Sequence, residues 1–320
     1  MMTPKKKRPK KTKMAKRRGI PIHGWLIIDK PSGLTSAGVV AKVRRLTDAA
    51  KVGHGGTLDP MATGVLPLAL GEATKTVAYA MDGTKVYRFT VRWGEQRTTD
   101  DAQGEVIETS DVRPTREQIQ AALPSFTGEL DQVPPIYSAV KVEGRRAYAL
   151  ARADKPVELK PRRIRIDEFR LLGTPDADHA EFEVVSGKGA YIRSLARDIA
   201  LALGTVGHIS ALRRTAVGPF REDAAISLDK LAALGHSAPL SELLLPVETA
   251  LDDIPALALT EAEGLSLRHG QSVAALPVVS RSPSVVVSQG AIVCAMADGK
   301  PVALAQIMGA EIRPLRVLNL

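Results

Sequence analysis

The sequence predicts an α+β protein that ends in a small β domain. Apolar and polar side chains alternate along residues 85–93, which is the period of a half-buried strand. Thr35 or Ser36 can cap an amphipathic helix that continues to about Leu46. From about residue 253 the chain changes to short apolar segments separated by turns, which indicates a compact β domain.

The composition is that of a globular protein with an ordinary core. The chain has 320 residues, enough for two domains, and 44% of them are hydrophobic. A single cysteine, Cys294, excludes an internal disulfide and a cysteine-based zinc cluster. No apolar run approaches the roughly 18 residues that span a bilayer. We therefore expect a soluble, cytoplasmic protein.

The excess positive charge lies at the N-terminus. The first 18 residues hold ten Lys and Arg and no acidic residue, so they account for the whole net charge of +9. This tail lacks the apolar segment of a secretory signal and the amphipathic pattern of an organelle presequence. We expect residues 1–22 to be disordered. They either bind phosphates nonspecifically, which would strengthen RNA association at low salt, or only improve solubility.

The first regular elements follow this tail. The apolar run Trp25–Ile28 predicts a short strand, and Lys30–Gly33 is typical of a turn. In the helix that comes next, Val39, Val43 and Leu46 share one face. The helix leads directly into a segment rich in glycine and proline.

This segment, Lys51–Pro67 with the sequence KVGHGGTLDPMATGVLP, predicts an irregular active-site loop. Four glycines and two prolines can hold the carboxylate of Asp59 in a fixed, partly dry position. Alternatively, Asp59 caps a turn by bonding its own backbone, as an Asp before Pro often does. Phosphate loops are excluded by spacing, since no Gly-Lys-Ser/Thr occurs and Leu58 stands where a dinucleotide fingerprint needs glycine.

The stretch GHGGTLDPMATGVLPLALGEATK, together with GWLIIDKPSG at residues 24–33, resembles the bacterial TruB family of tRNA pseudouridine synthases. The resemblance extends to about residue 220. It implies conversion of the T-loop uridine at tRNA position 55, with Asp59 as the catalytic aspartate. It also implies a catalytic domain over residues 23–252, built on a mixed, mainly antiparallel sheet flanked by helices. One departure is Gly55, where family members often carry a larger residue.

Within the predicted strand Lys85–Trp93, Phe89 and Trp93 are expected to be core residues. Tyr87 lies in a family-like stretch, and the resemblance implies that its ring stacks on the target uracil. Stacking on an extruded base contributes roughly 1–3 kcal/mol. The polar run Gly94–Gly104 resembles a family connection, although a tight polar turn is a sufficient explanation.

A capping box at Thr115 and Gln118 predicts a short helix to Leu123. Residues 133–141 resemble another family signature and suggest an ordered loop that leads into a strand. Residues 141–170 then hold ten basic and five acidic residues. A charged run usually marks a solvated face, but in this family the region is an RNA-gripping insertion. The resemblance therefore implies phosphate contacts for a basic set: Lys141, Arg145, Arg146, Arg162, Arg163 and Arg165.

The sequence SGKGAYIRSL at residues 186–195 resembles the family's K-G-T-Y-I-R-S-L, with Ala190 in place of the threonine. A helix should follow and end at Gly204. The resemblance places Tyr191 and Arg193 near the mouth of the site. Arg193 would hold and ionise the carboxylate of Asp59, and the phenol oxygen of Tyr191 could accept the proton released from uracil C5.

Four further positions carry family roles, and two of them have a plainer alternative. The Leu212-Arg213-Arg214 segment resembles one in which the leucine lines the base pocket and the arginines face RNA. Leu212 could equally be an ordinary core residue. His54 either shapes the loop or the RNA around the extruded base, or is a satisfied structural histidine.

The last third of the chain predicts helices near Ser227–Leu234 and Ser241–Leu251, then short strands. Asp298-Gly299 is a strong hairpin signal, and Leu315–Leu320 is predicted as a final strand. Residues 253–320 resemble a PUA-type RNA-binding module. A structural cap is the competing interpretation.

Pseudouridylation breaks the bond from uracil N1 to the ribose and joins C5 to the same sugar carbon, without a redox step or external energy. The six histidines show no metal-ligand spacing. We expect no metal and no cofactor. The expected partner is the tRNA T-arm and elbow, where the target must be flipped out. We expect a monomer with no membrane contact and no obligate protein partner.

Two alternatives remain beside a standalone enzyme. A nonenzymatic RNA-binding or RNA-folding protein would need the basic surfaces but not Asp59. A guide-RNA-dependent relative is the nearest enzymatic rival, although residues 61–67, MATGVLP, look more like the standalone bacterial branch. The sequence leaves open whether Asp59 attacks the ribose, adds to the uracil ring or removes a ribose proton.

Overall fold

The computed structural model describes residues 19–142, 144–153, 156–234, 240–283 and 285–320. They form one large mixed sheet with helices against it and a separate five-stranded sheet near the C-terminus. The predicted α+β fold class is confirmed. The predicted basic tail lies outside the described residues as far as residue 18. Its proposed end at residue 22 is wrong, because Ile20 forms a β-bridge with Ala49.

The strands and helices are numbered here in chain order. The strands are β1 Gly24–Lys30, β2 Val52–His54, β3 Thr63–Leu70, β4 Lys85–Trp93, β5 Glu95–Arg97, β6 Val106–Thr109, β7 Gly128–Gln132, β8 Lys141–Val142, β9 Arg145–Arg146, β10 Arg162–Asp176, β11 His179–Ser186, β12 Gly207–Val217, β13 Phe220–Arg221, β14 Ile226–Ser227, β15 Ala256–Ala258, β16 Val273–Ala274, β17 Ile292–Ala297, β18 Lys300–Met308 and β19 Glu311–Val317. The helices are α1 Ser36–Thr47, α2 Val77–Asp82, α3 Arg116–Ala122, α4 Ala147–Ala151, α5 Ile192–Ala202, α6 Leu228–Leu234, α7 Glu261–Arg268 and α8 Ala275–Ser280.

The large sheet runs in the order β14-β1-β3-β12-β4-β11-β10-β7, with β2 on β3 and β13 on β12. The β1–β14 and β3–β12 pairs are parallel, and the other pairs are antiparallel. This is the mixed, mainly antiparallel sheet that the family resemblance implied. The parallel pairing of β3 with β12 brings the segment after Asp59 beside the Leu212–Arg214 segment.

Helix α5 covers one face of this sheet. Its buried residues Ile192, Leu195 and Ile199 follow the helical repeat and pack into the same core as Phe89 and Phe182. These two rings lie opposite each other in the β4–β11 register and stack with centroids 5.3 Å apart. The core therefore fixes the beginning of α5 over the middle of the sheet.

Several predicted elements are confirmed, and others are corrected. Strand β4 has the predicted bounds, and the Thr35 side chain caps α1 by accepting from the backbone N–H of Gly38. The region Lys51–Pro67 is only partly a loop, because β2 and the buried start of β3 occupy its ends. The predicted helix Ser241–Leu251 is two 3₁₀ turns separated near Pro246, which cannot continue a helix.

The second sheet has the strand order β15-β17-β18-β19-β16. Its β17–β18 hairpin turns at Asp298 and Gly299, which both have positive φ, as a type I′ turn requires. The final strand was predicted too late in the sequence, since β19 ends at Val317. Leu318 instead packs with Trp25 against the large sheet. Within the described ranges, every helix is too short or too polar to cross a membrane.

We expect Gly64→Ala to destabilise the protein strongly. Gly64 has φ +98°, and a Cβ atom there would lie 2.2 Å from the carbonyl oxygen of Arg214 on the paired strand. The matched control is Gly128→Ala, because Gly128 has φ +97° and open space around its Cβ position. Both variants carry the strain of positive φ, about 1–2 kcal/mol. Only Gly64→Ala adds a backbone clash, so equal free energies of unfolding in denaturant titrations would contradict this reading.

Candidate active site

The loop between β2 and β3 carries Asp59 at its tip, and buried side chains hold it from below. The guanidinium of Arg214 donates to the carbonyl oxygens of Gly56, Thr57 and Val65 at 3.4, 3.3 and 2.9 Å. These bonds draw both ends of the loop onto β12. Arg214 is 1% exposed, so the expectation that it faces RNA is wrong. Its guanidinium is used inside the fold as a brace.

The tip of the loop is held from the other side by β1 and α1. Ser36 Oγ accepts from the N–H of Leu58 at 2.9 Å and donates to its carbonyl at 3.1 Å. The ammonium of Lys30 donates to the carbonyl of Pro60 at 3.1 Å. Asp59 therefore sits between two residues whose main chains are fixed by buried side chains. Such a position allows the carboxylate little freedom.

The carboxylate of Asp59 forms an ion pair with Arg193 at the beginning of α5, with 2.8 Å between Oδ2 and Nε. The Arg193 side chain is 4% exposed and that of Asp59 is 35% exposed. The cation is thus buried while the carboxylate opens to solvent on one side. The alternative role of Asp59 as a turn cap is not what the structure shows, because its side chain bonds to Arg193.

The other nitrogens of Arg193 bind two loops. Nη1 donates to the carbonyl of Thr99 at 2.9 Å, and Nη2 donates to that of Tyr137 at 3.0 Å. Asp101 adds a second, buried carboxylate, whose Oδ2 lies 3.9 Å from Nε of Arg193. The arginine therefore meets three separate parts of the chain around Asp59. A guanidinium suits this role because its donors form a rigid planar fork.

The run Gly94–Gly104 is more than a polar turn. Asp101 accepts from the hydroxyl of Thr99 at 2.6 Å, and Asp100 forms an ion pair with Arg197 at 3.0 Å. Burial raises the pKa of the Asp100 carboxyl, and Arg197 and Arg193 oppose that rise. The structure thus adds Thr99, Asp101 and Tyr137 to the site. The family resemblance covers these positions, but sequence reasoning gave them no role in the site, because carbonyl acceptors and packed carboxylates leave no local pattern.

Tyr191 lies at the N-cap of α5, two residues before Arg193. The side chain is half-buried, and burial raises the pKa of its phenol. The charge of Asp59 acts on the phenol in the same direction and that of Arg193 in the opposite one. The structure therefore brings three predicted catalytic residues, Asp59, Tyr191 and Arg193, into one electrostatic neighbourhood.

The predicted base-binding residues lie on strands β2, β4 and β12 of the large sheet, and none of them bonds Asp59. Tyr87 on β4 is half-buried and packs on the edge of the main core. Leu212 is buried in that core, and it also lines a surface cavity of about 470 Å³ together with Met61 and Thr63. His54 lies on β2, where burial and Arg214 lower the pKa of its imidazole. The ring is neutral at pH 7.

Lys30 is a further buried group that sequence reasoning did not single out. It is fully buried, and its ammonium donates to the carbonyls of Pro31 and Pro60. Burial lowers the pKa of this ammonium to about 8, Asp59 opposes the shift, and Arg214 adds to it. Lys30 and Arg214 therefore place two positive charges beneath the loop, close to the carboxylate of Asp59.

The basic positions outside the loop are exposed, except that Arg213 is half-exposed. Arg213 is shared between Asp29 at 3.0 Å and Glu222 at 3.1 Å. The rest of the predicted RNA-contacting set lies in exposed positions on β8, β9 and β10: Lys141, Arg145, Arg146, Arg162, Arg163 and Arg165. In the part of the chain that the structure describes, no three His, Cys, Asp or Glu side chains cluster to hold a metal ion.

Comparison with known proteins gives two family matches that together span residues 44–252. Residues 44–192 match the family model described as "TruB family pseudouridylate synthase (N terminal domain)". Residues 193–252 match "tRNA pseudouridylate synthase B C-terminal domain". The boundary between the two matches falls at the Arg193 position, so the ion pair with Asp59 joins the two matched regions.

Curated relatives extend the similarity over nearly the whole chain. The tRNA pseudouridine synthase B of Rhodospirillum rubrum is 64% identical over 95% of this chain and 99% of its own length. That of Gluconacetobacter diazotrophicus is 58% identical over 95% of this chain and 100% of its own length. Among solved structures, a Cbf5-Nop10-Gar1 complex contains a chain with a TM-score of 0.72 and 28% identity, covering 93% of this chain and 85% of that one.

We expect the buried ammonium of Lys30 to make stability depend on pH. Its folded pKa of about 8 lies below the ordinary value of 10.5. Between these values the unfolded chain binds the extra proton, so stability rises with pH across that window. The difference between wild type and Lys30→Met in free energy of unfolding should shift in favour of wild type by on the order of 3 kcal/mol from pH 7.5 to 10.5. Denaturant titrations at several pH values measure it, and a flat or falling difference would contradict the burial of a charged Lys30.

Proposed function

The chain belongs to the TruB family of pseudouridylate synthases and isomerises uridine to pseudouridine in tRNA, and we propose that its target is uridine 55 of the T-loop. The relatives that are 58–64% identical are named tRNA pseudouridine synthase B, whereas the chain from the Cbf5-Nop10-Gar1 complex is 28% identical. This ranking supports a standalone enzyme over a guide-RNA-dependent one. We further propose a cytoplasmic monomer without an obligate protein partner.

Asp59 is the proposed catalytic carboxylate, and its ion pair with Arg193 is the observation that carries this role. The carboxylate is held on a braced loop, faces a buried cation on one side and is 35% exposed on the other. A substrate can therefore reach it from the open side. The ionised carboxylate is the form that can attack a carbon or take up a proton.

Arg193 acts as the positioning partner of Asp59 in this proposal. Its two terminal nitrogens donate to the carbonyls of Thr99 and Tyr137, so it cannot turn away from the carboxylate without leaving these acceptors unpaired. Asp101, buried at 3.9 Å from Nε, shares the positive charge. The guanidinium is thus fixed before substrate binds, and no reorganisation is needed during the reaction.

The target base has to leave the stack of the tRNA elbow before it can reach Asp59. We assign Tyr87 as the ring on which the extruded uracil stacks and Leu212 as an apolar wall of the base pocket. His54, which is neutral at pH 7, lies beside the braced loop and can contact the base or the displaced RNA without adding charge. These roles extend the family resemblance and fit the positions of the three residues around the loop.

The reaction breaks the N1–C1′ bond and forms a C5–C1′ bond, while C5 loses a proton and N1 takes one up from water. Tyr191 is the proposed proton acceptor. Because burial raises the pKa of its phenol, the group is a neutral hydroxyl at pH 7. It therefore acts as a relay, in which the oxygen receives the proton from C5 while its own hydroxyl proton passes to water.

Exposed arginines and lysines of β8, β9 and β10 are proposed to grip the phosphates of the T-arm. Lys141, Arg145 and Arg146 lie on a short hairpin that leaves the core directly after the loop bonded to Arg193. Arg213 can join them on exchanging its surface ion pairs with Asp29 and Glu222 for a phosphate. The C-terminal β sheet is proposed as an additional RNA-binding module of PUA type.

We expect Asp59→Asn to lower the single-turnover rate of pseudouridine formation by at least about 10³-fold, because the amide cannot replace the ionised carboxylate. Binding of unmodified tRNA should remain within about 3-fold, since Asp59 is one contact among many. Rates come from quenched time courses with mapped pseudouridine, and Asp252→Asn, an exposed carboxylate on the surface, is the control. An Asp59→Asn protein that modifies tRNA at the wild-type rate would remove Asp59 from the mechanism.

Target position is tested with the substrate instead of the protein. We expect an unmodified tRNA transcript to gain pseudouridine at position 55 alone, mapped at single-nucleotide resolution. A transcript with cytidine at position 55 should gain none, although it should compete for binding because the phosphates and the elbow shape are unchanged. Modification that appears at another uridine in either transcript would show that the target is not uridine 55.

A further inference from the structure

Gln132, the last residue of β7, is bonded through its side chain to the main chain of Tyr191. Its Oε1 accepts from the N–H of Tyr191 at 2.8 Å, and its Nε2 donates to the carbonyl of Tyr191 at 3.1 Å. Gln132 is 4% exposed. A single buried amide thus binds both polar groups of one main-chain residue, in the way that a neighbouring strand would.

Tyr191 needs such a partner because it belongs neither to β11 nor to the body of α5. It has the extended angles φ −103° and ψ 112° at the N-cap, with no side-chain cap of its own. The turn before it contains Gly189 at φ +89°. Among the residues that the structure describes, Gln132 is the one side chain that bonds the Tyr191 main chain. The Tyr191 carbonyl also accepts from the N–H of Leu195 in α5 at 3.0 Å, whereas its N–H is bonded by Gln132. The orientation of the Tyr191 N–H, and with it that of the side chain, therefore depends on Gln132.

The residues after Gln132 are also fixed to α5. The carbonyl of Val133 accepts from Ser194 Oγ at 2.8 Å and from Arg197 Nη2 at 2.9 Å. After Pro134 and Pro135, the carbonyl of Tyr137 accepts from Arg193. Gln132 therefore stands on a segment that is tied to the same helix that carries the catalytic cation. The side chain of Gln132 therefore has a fixed position relative to α5, from which it can hold the main chain of Tyr191 in place.

We propose that Gln132 is a positioning residue for the isomerisation, acting through the main chain of Tyr191 to aim the phenol at the base. This inference rests on the proposed role of Tyr191 in proton transfer. Without the amide pair the N–H of Tyr191 loses its bond to Gln132 and the peptide group before Tyr191 can rotate, and the phenol at the end of the side chain moves with it. A displacement of about 1 Å of a catalytic group can cost on the order of 10²-fold in rate.

The first test replaces Gln132 with methionine, which has similar volume and cannot form the two bonds. We expect the single-turnover rate of Gln132→Met to fall about 10- to 100-fold, while the Kd for unmodified tRNA stays within about 2-fold. Gln118→Met is the matched control, because the Gln118 amide also accepts a backbone N–H, that of Thr115, but lies on α3 away from the site. An unchanged rate in Gln132→Met would overturn the proposal.

Gln132→Asn supplies the same test with a polar side chain. It keeps an amide but is one methylene shorter, so it cannot hold both groups of Tyr191 at once. We expect a rate loss of at least about 10-fold with little change in the thermal unfolding midpoint. A rate loss that appears only together with a lower midpoint would assign Gln132 to stability and overturn the positioning role.

A double-mutant cycle with Tyr191→Phe separates the two proposals. If Gln132 acts by aiming the phenol, Gln132→Met should cost less than about 3-fold once the phenol hydroxyl is absent. Full additivity of the two rate losses would overturn the role of Gln132 and leave Tyr191 in place. A Tyr191→Phe protein with the wild-type rate would instead remove Tyr191 from proton transfer, whatever Gln132 does.

Discussion

The buried guanidinium of Arg193 is the group on which the site depends. A cation in this position costs several kcal/mol unless its donors are satisfied. Here each of the three nitrogens donates one hydrogen bond, to Asp59, to the Thr99 carbonyl and to the Tyr137 carbonyl. Because these acceptors come from three distant segments, satisfying one side chain also brings the segments together. The hydrogen bonds that the buried Arg193 requires are therefore the same bonds that assemble the site.

The loop of Asp59 shows how a polar interior can be rigid. Arg214, Lys30 and Ser36 are all buried and all bond main-chain groups of the loop. Main-chain carbonyls accept hydrogen bonds from the Arg214 and Lys30 cations without neutralising their charge. Their positive charge therefore acts on the carboxylate of Asp59, which lies where the loop opens to solvent. Structure and electrostatics are supplied by the same side chains.

Local patterns predicted the elements that rest on local physics. Period-two alternation located Lys85–Trp93, the Thr115 capping box located α3, and Asp298-Gly299 located a hairpin. Asp59 and Arg193 were paired only through family resemblance, since 134 residues separate them. Arg214 was misassigned because an arginine that braces carbonyls and one that faces RNA have the same sequence signature. Asp101 and Gln132 depend on tertiary neighbours that no local period encodes.

The close approach of β3 to β12 at Gly64 affects how a mutational screen of this protein should be interpreted. A saturation library scored by growth would mark Gly64 and Arg214 as intolerant alongside Asp59, although neither of the first two touches the reacting atoms in the proposed mechanism. Pairing such a screen with a measure of cellular abundance would sort these positions, because architectural losses lower the amount of protein and chemical losses do not.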